Sequence, residues 1–418
     1  MASSRHNEAV IVHALRTPVG KYGGILKNVR PDDLSAFVLR KLIERTGIDP
    51  ANVDDVLWGC ANQAGEDNRN IGRMAVLLAG FPHSVPAVTI NRLCGSSLDA
   101  INQASRAIRA GDHEIIIAGG VESMSRAPYV IPKNVSGNAL FGNLTAYDTA
   151  LGWRFPNPEM QKMFPLESMG ETAENIAEKW NISRERQDAF ALRSHQRAVK
   201  AQDEGKFSEE IVAVGIDTKN GYRIVENDKT PGSSVTMISQ DEGPRRDTSL
   251  ERLAKLRAAF RNNGTITAGN SSGLNDGAAA LLLMSESKAH QLGFAPLARI
   301  VSNGVAGVDP RYMGIGPVPA TTQALKHAGL SLKDIDLIEL NEAFAAQSLA
   351  VLADLGANPE VVNVNGGAIA LGHPLGCSGA RIMTTLLHEM KRRKSRYGLA
   401  TMCIGVGQGI STIVELIR

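Results

Sequence analysis

Two cysteines and one histidine carry side chains that can do covalent and proton-transfer chemistry, and each stands in a glycine-rich stretch next to a predicted helix or strand end. They are Cys94, His373 and Cys403. A thiolate is a strong nucleophile, and an imidazole or a second thiol can accept and return protons. These residue types therefore predict acyl transfer through a covalent thioester.

Cys94 lies in Asn-Arg-Leu-Cys-Gly-Ser-Ser, residues 91–97, at the start of a predicted helix. The free N–H groups and the positive end of a helix favour a thiolate over a thiol. The sequence therefore predicts that the pKa of Cys94 is lowered. The alternative is a small buried residue that only packs the helix.

His373 lies in Gly-Gly-Ala-Ile-Ala-Leu-Gly-His-Pro-Leu-Gly, residues 366–376. Proline suits the first position of a helix, so Pro374 predicts a histidine that projects from the preceding turn. A structural histidine is the alternative. Cys377, four residues later, is interpreted as helix packing.

Cys403 follows an apolar strand and precedes Gly405, Gly407 and Gly409. Glycine N–H groups in such a turn can form an oxyanion site, and a tight strand-end turn is the alternative. The pattern is a poor dinucleotide-binding fingerprint, because no suitable Gly-x-Gly-x-x-Gly opens a clear helix with an acidic residue downstream.

Two further polar stretches have open interpretations. Asn341, in Asn-Glu-Ala-Phe-Ala, follows a strand and opens a predicted helix, so it is either an N-cap or the holder of a catalytic water. The glycine-dense loop 269–277, predicted ahead of a helix, either lines a ligand channel or is a turn.

Strands and helices alternate along the chain, which favours an α/β layered fold. Helices are predicted over 31–46 and 94–110, and strands over 9–12, 53–59, 87–91 and 114–120. Similar strand patterns recur over 335–341, 361–365 and 400–405, where they match the patterns at 53–59, 87–91 and 115–120. The recurrence predicts a duplicated α/β unit, against the alternative of chance similarity.

The stretch 124–273 between the two halves is charged and rich in turns, with a helical pattern over 171–202. We interpret it as an insertion that packs over the paired core and bears substrate; a plain structural excursion is the alternative.

The bulk properties are those of a globular enzyme-sized protein. The 418 residues predict two or three domains, and a net charge of +2 gives no global signal for nucleic acid or a membrane surface. Four cysteines are too few for a disulfide framework and show no zinc spacing, which fits a reducing compartment. A short polar N-terminus and the lack of a long apolar run predict a cytoplasmic protein without a membrane partner. The cysteine spacing predicts no metal.

Jointly, the runs around Cys94, Asn341, His373 and Cys403 resemble the thiolase family over nearly the whole chain. The resemblance implies two duplicated βαβαβαββ halves in a five-layered α-β-α-β-α core with an inserted loop domain, usually in a homotetramer. The boundaries would be 1–123 plus about 274–294 for the N-terminal half, 124–273 for the loop domain and 295–418 for the C-terminal half.

The resemblance also implies roles for the site residues. Cys94 would be the acylated nucleophile, activated by His373, and Cys403 the acid/base at the acetyl carbon. His373 with a water held by Asn341 would form one oxyanion hole, and the N–H groups of Cys94 and Gly405 the other. Coenzyme A and acyl-CoA would be substrates, with no tightly bound cofactor, and the positions that match their binding residues are Arg245, Phe260, Ala268, Ser272, Met169, Met313 and Phe344.

One departure bears on the substrate. Ser168 replaces a histidine that many thiolases have near the pantetheine, which weakens acetoacetyl specificity. The stretch 147–158 is similar to that of 3-oxoadipyl-CoA thiolases, and Arg154 within it either pairs with a distal carboxylate or sits on the surface. The alternatives are a biosynthetic acetoacetyl-CoA thiolase, a decarboxylating ketosynthase and a non-catalytic acyl-CoA or lipid carrier.

Overall fold

The structure, a computed structural model, describes residues 8–133, 143–219, 223–226 and 234–417. The elements of the N-terminal part are β1 Ala9–Arg16, β2 Gly20–Lys21, α1 Pro31–Thr46, β3 Asp55–Gly59, α2 Ile71–Leu78, β4 Ala87–Ile90, α3 Ser96–Ala110 and β5 Ile115–Ser123. The middle part holds β6 Tyr129–Val130, β7 Tyr147–Asp148, α4 Pro158–Met163, α5 Met169–Lys179, α6 Arg184–Asp203, β8 Val214–Asp217, β9 Arg223–Ile224, β10 Val235–Ile238 and α7 Leu250–Ala254.

The rest of the chain returns to long strands and helices. They are β11 Asn275–Ser285, α8 Glu286–Gln291, β12 Ala298–Gly307, α9 Pro317–Ala328, β13 Leu337–Leu340, α10 Ala345–Leu355, α11 Ala368–Leu371, α12 Leu375–Arg393, β14 Tyr397–Ile404 and β15 Gln408–Leu416. Short 3-10 helices cover Pro50–Asn52, Pro310–Ile315, Leu332–Asp334 and Pro359–Val361.

The sheet order confirms the duplication. From the centre outward, one half runs β1, β11, β5, β3, β4, and the other runs β12, β15, β14, β13. In both halves the first two pairings are antiparallel and the next is parallel. The halves join where β1 pairs with β12 over only two register positions.

Burial explains the five layers. Helices α1 and α2 pack with the N-terminal strands in one apolar cluster, and α9 and α10 pack with the C-terminal strands in another. A third cluster lies between the two half-sheets and contains the apolar faces of α3 and α12. The architecture is therefore helix, sheet, helix, sheet, helix, as the thiolase resemblance implied.

Most predicted elements form where the sequence punctuates them. Helix α1 has Pro31 at its first position and ends at Gly47, whose φ of 68° suits a residue without Cβ. The helical pattern over 171–202 is in fact two helices, α5 and α6, because the chain reverses between them at Asn181, with φ of 50°.

Two predictions of local structure were wrong. The stretch 361–365 is not a strand: a 3-10 turn replaces it, and only Val362 bridges to Ile338. The loop 269–277 leads into strand β11 instead of a helix, because the small residues after Asn275 fit between β1 and β5.

In the described part of the chain, no helix combines the length and the apolar character needed to cross a membrane.

Candidate active site

Cys94 lies in the tight connection between β4 and α3. The residue before it, Leu93, has φ of 46°, a left-handed conformation that is strained for a residue with Cβ. The Asn91 side chain holds this turn by accepting the Leu93 N–H at 2.9 Å. The helix itself starts at Ser96, so Cys94 stands just ahead of the helix N-terminus. The surrounding structure thus fixes the position of the thiol.

The pKa of Cys94 is raised, whereas the sequence predicts a lowered pKa. Burial of the thiol raises its pKa to about 11, although the nearby backbone N–H groups of Gly405 and of Cys94 itself act to lower it. The residue is partly exposed at the surface, but the sulfur is enclosed. Desolvation of the anion outweighs the favourable dipoles here, so the resting residue is a thiol.

Cys403 lies near the end of β14 and reaches the same place from the other half of the molecule. It is buried, and burial together with the nearby Cys94 sulfur raises its pKa well above the usual range. The turn that follows contains Gly405 and Val406, and Val406 has φ of 63°, a strained value for a β-branched residue. This strained turn directs the Gly405 N–H toward the Cys94 sulfur.

His373 is buried in the connection between α11 and α12. Its backbone N–H donates to Asn275 Oδ1 at 2.9 Å, and its ring Nδ1 lies 2.6 Å from Ser378 Oγ. Asn341 Nδ2 lies 3.4 Å from both ring nitrogens. Burial first, and the nearby Arg381 second, lower the pKa of His373 to about 3, so the imidazole is neutral.

Asn341 follows β13 and is not a helix N-cap, because α10 begins only at Ala345. Its backbone N–H donates to Thr401 O at 3.0 Å, which ties it to the strand that carries Cys403. Its side-chain Oδ1 is buried and has no hydrogen-bond partner among the described residues. That oxygen is free to accept a hydrogen bond from a water or a substrate.

Helices α3 and α12 bring the loops of Cys94 and His373 together. Ala380 N–H donates to Ser97 Oγ at 2.8 Å, and Gly379 lies so close to the backbone of Leu98 that a Cβ would clash. The two reactive residues therefore precede the N-terminal ends of two helices in direct contact.

Glu122, on β5, holds the His373 loop from the other half. Its carboxylate accepts the N–H groups of Ala61, Asn62 and Gly376 at 2.8 to 3.1 Å. Cys60 and Asp67 complete a buried group whose ligand-type atoms lie within 4.8 Å of one another. Because three backbone groups occupy the carboxylate, we interpret this cluster as structural.

Several predicted binding residues meet beside Cys403. Met313 and Phe344 are buried in one apolar cluster with Cys403, and Met169 packs against it. The Met169 sulfur also approaches Gly405. Phe260, 43% exposed, makes an edge contact with Phe344 at 6.4 Å between ring centroids. These residues form one wall that runs from the sulfur atoms to the surface.

The remaining predicted binding positions lie nearer the surface. Ser272 is half-buried and its N–H donates to Ala343 O at 3.0 Å, while Ala268 is exposed. Arg245 is exposed on the segment before α7, where its backbone N–H donates to His195 Nδ1 at 3.1 Å. No contact among the described residues brings the Arg245 side chain to the other positions.

Sequence reasoning missed the residues that hold the reactive ones. Ser378 is the neighbour of Cys377, for which the sequence indicates only packing, and Asn275 lies in the loop 269–277, which the sequence does not assign between a ligand channel and a turn. Glu122 gave no signal beyond an acidic residue in an apolar strand. Asn275 and Glu122 act through contacts more than 90 residues away in sequence, which a local pattern does not reveal.

Comparisons with known proteins agree with this geometry. The family model described as "Thiolase, N-terminal domain" matches residues 9–287, and that described as "Thiolase, C-terminal domain" matches residues 294–416. The chain is 57% identical to the 3-oxoadipyl-CoA/3-oxo-5,6-dehydrosuberyl-CoA thiolase of Escherichia coli (strain K12), over 98% of this chain and 99% of that protein. It is 53% identical to a beta-ketoadipyl-CoA thiolase of Acinetobacter baylyi, over 97% and 99%.

Solved structures show the same fold. The acetyl-CoA acetyltransferase of Bacillus anthracis superposes with a TM-score of 0.90 at 44% identity, covering 99% of this chain and all of that chain. Human mitochondrial 3-ketoacyl-CoA thiolase gives a TM-score of 0.90 at 42% identity, covering 98% and 99%. The chain therefore belongs to the thiolase family, and it is an acyltransferase that cleaves 3-oxoacyl-CoA thiolytically.

Proposed function

We propose that this enzyme cleaves 3-oxoadipyl-CoA with coenzyme A to give succinyl-CoA and acetyl-CoA, through a thioester on Cys94. The observation that carries the mechanism is the meeting of two turns: Leu93 and Gly95, on either side of Cys94, pack against Gly405 and Ile404, which follow Cys403. The substrate is supported by relatives from Escherichia coli and Acinetobacter baylyi, whose names specify the 3-oxoadipyl or beta-ketoadipyl group.

In the first half-reaction the Cys94 sulfur attacks the 3-keto carbon while its proton passes to His373. The N–H groups of Cys94 and Gly405 donate to the oxyanion that forms. The bond between C2 and C3 then breaks and expels the enolate of acetyl-CoA. Its thioester oxygen accepts hydrogen bonds from His373 and from a water held by Asn341, and the Cys403 thiol protonates C2.

In the second half-reaction coenzyme A replaces acetyl-CoA. The Cys403 thiolate takes the proton of the incoming thiol, and the new thiolate attacks the acyl carbon on Cys94. The carbon–sulfur bond to Cys94 breaks, and His373 returns its proton to the Cys94 sulfur. Both residues are then restored, and ping-pong kinetics follow.

The pKa shifts explain why the charge appears only with substrate. A Cys94 pKa of about 11 and a His373 pKa of about 3 favour the neutral thiol and the neutral imidazole. Proton transfer becomes favourable when the negative charge can move onto a carbonyl oxygen that two N–H groups stabilise. The buried site thus limits thiolate chemistry to the moment of attack.

The proposal extends to the binding of coenzyme A by the loop domain, residues 124–273, between the core halves 1–123 plus about 274–294 and 295–418. Met169, Met313 and Phe344 line the acyl end, Ala268 and Ser272 face the pantetheine, and Phe260 and Arg245 lie toward the nucleotide. The exposed edge of Phe260 against Phe344 supports this path. We further propose a cytoplasmic homotetramer; the four free cysteines suit a reducing compartment.

A thiolysis panel tests the substrate. The enzyme is assayed with coenzyme A and three substrates: acetoacetyl-CoA, 3-oxohexanoyl-CoA and 3-oxoadipyl-CoA. We expect the highest kcat/KM with 3-oxoadipyl-CoA. A highest value with acetoacetyl-CoA would instead identify a short-chain acetoacetyl-CoA thiolase.

A further inference from the structure

We propose that Arg154 binds the carboxylate at the far end of the acyl chain and so selects dicarboxylic 3-oxoacyl-CoA substrates. This inference rests on the proposed function, since only a substrate such as 3-oxoadipyl-CoA carries that carboxylate. It assigns a substrate-binding role to a residue outside the catalytic set.

Arg154 is held in place by neutral groups and is left without a charge partner. Its guanidinium donates to Asn62 Oδ1 at 3.0 Å and to Thr149 O at 3.5 Å, and the residue is half-buried. Among the residues that the structure describes, Arg154 forms no ion pair. A guanidinium has five N–H donors in a planar fork, so Arg154 retains donors for a carboxylate.

The other arginines around this region are already neutralised. Arg126 pairs with Glu66, Arg311 with Glu167, and Arg92 with Asp99. Arg154 therefore differs from these arginines, because it has no carboxylate partner among the described residues and can bind the carboxylate of a ligand.

Short hydrogen-bonded links connect Arg154 to the nucleophile loop. Asn62, its partner, follows β3 at the same edge of the sheet from which the Cys94 loop follows β4. Ala61 O accepts the Asn91 side-chain N–H at 2.9 Å, and Asn91 in turn holds Leu93. The Arg154 guanidinium is thus anchored to the residues that position Cys94.

The length of the acyl chain sets how far the partner of the distal carboxylate can lie from the Cys94 sulfur. After cleavage of 3-oxoadipyl-CoA, a succinyl group is attached to Cys94, and its carboxylate carbon is four bonds from the sulfur. Extended, those bonds span about 5 Å. The partner must therefore lie close to the Cys94 loop, to which Arg154 is linked through Asn62 and Asn91.

The segment that carries Arg154 is also part of the pocket roof. Trp153 Nε1 donates to Glu167 O at 3.1 Å, which fixes the segment ahead of α5. Trp153, Met160, Met169 and Val406 line one small cavity. Met169 and Val406 lie at the Gly405 turn, so Trp153 lies beside this turn and Arg154 follows Trp153 in the chain.

The test compares two substrates of equal chain length, 3-oxoadipyl-CoA and 3-oxohexanoyl-CoA, which differ in the distal carboxylate. In Arg154→Met we expect kcat/KM for 3-oxoadipyl-CoA to fall about 10- to 100-fold, the usual effect of losing a charged hydrogen-bond partner. The value for 3-oxohexanoyl-CoA should change by less than about threefold. Arg154→Lys should restore part of the preference, because it keeps the charge but not the fork.

A matched control removes a different cation from the same segment. Lys162 is an exposed lysine that pairs with Glu159, and Lys162→Met should leave both kcat/KM values unchanged. If Arg154→Met keeps the wild-type preference, or loses both substrates equally, the role of Arg154 is wrong. If the wild-type enzyme itself does not prefer 3-oxoadipyl-CoA, the proposed substrate is wrong and the inference falls with it.

Discussion

The two halves of the core share one topology but use equivalent positions differently. In the N-terminal half Gly59 pairs with Gly120, and in the C-terminal half Leu340 pairs with Thr401. Counting from these pairs, Cys60 corresponds to Asn341 and Glu122 to Cys403. One half thus places the amide and the thiol that we propose as water holder and acid/base where the other places a buried cysteine and a carboxylate that accepts three backbone N–H groups.

The contacts between the halves are reciprocal as well. Gly405, from the C-terminal half, packs against Leu93 next to Cys94, and Glu122, from the N-terminal half, accepts the Gly376 N–H near His373. The connection after β14 is a short glycine turn, whereas the equivalent connection after β5 is the long insertion 124–273. Duplication supplied two similar frameworks, and the proposed site takes Cys94 from one half and Asn341, His373 and Cys403 from the other.

The largest expected effect is the loss of the nucleophile. Cys94→Ser should lower kcat by about 10⁴-fold or more, because a serine hydroxyl is far less acidic than a thiol in the same buried site. Thiolysis of 3-oxoadipyl-CoA measures it. Cys377→Ala is the control, because Cys377 is a buried thiol with only a packing role, and that variant should remain active; equal loss in both variants would contradict the assignment.

Removing the acid/base should separate the two chemical roles. Cys403→Ser should still form the acyl-enzyme but lose exchange of the acetyl hydrogens, with overall turnover reduced by about 10²- to 10⁴-fold. Deuterium exchange into acetyl-CoA, followed by mass spectrometry, measures this step. Normal exchange in the variant would show that another group handles the proton.

Glu122, the counterpart of Cys403 in the N-terminal half, should contribute to the stability of the fold. Glu122→Leu leaves the N–H groups of Ala61, Asn62 and Gly376 without their acceptor, which should cost about 3 kcal/mol or more of unfolding free energy. Glu122→Gln keeps one acceptor oxygen and should lose less. Urea denaturation measures both, and an unchanged midpoint in Glu122→Leu would remove the structural role.

The smallest effect is the pH dependence of Cys94 in the free enzyme. With the pKa raised to about 11, the thiolate fraction should rise about tenfold for each pH unit below that value. The rate of alkylation of Cys94 by iodoacetamide should therefore keep increasing from pH 7 to 9. A plateau near neutral pH would mean that the helix end and the N–H groups lower the pKa of Cys94 more than burial raises it.

Local signals predicted much of this fold. Helix α1 begins at Pro31 and ends before Gly47 as its sequence indicates, and the recurrence of strand patterns revealed the duplication. The prediction of a strand over 361–365 is wrong because Pro359, just before this stretch, starts a 3-10 turn. A proline at the edge of a sheet cannot donate a backbone hydrogen bond, and only a single bridge forms where the strand was predicted.

The sequence points to the residues that we propose for the chemistry, but it does not reveal their supports or their pKa values. The sequence predicts a lowered pKa for Cys94 because it reveals only the nearby helix end. The burial that raises this pKa instead comes from residues distant in the chain. Ser378, Asn275 and Glu122 likewise became visible only once the two halves were packed together.

The central claim is that the acyl group is carried by the sulfur that Gly405 and Cys403 approach. The most direct measurement is peptide mapping by mass spectrometry after brief incubation of the enzyme with 3-oxoadipyl-CoA in the absence of free coenzyme A. We predict a single succinyl adduct on the peptide that contains Cys94. An adduct on Cys403 instead, or none on Cys94, would contradict it.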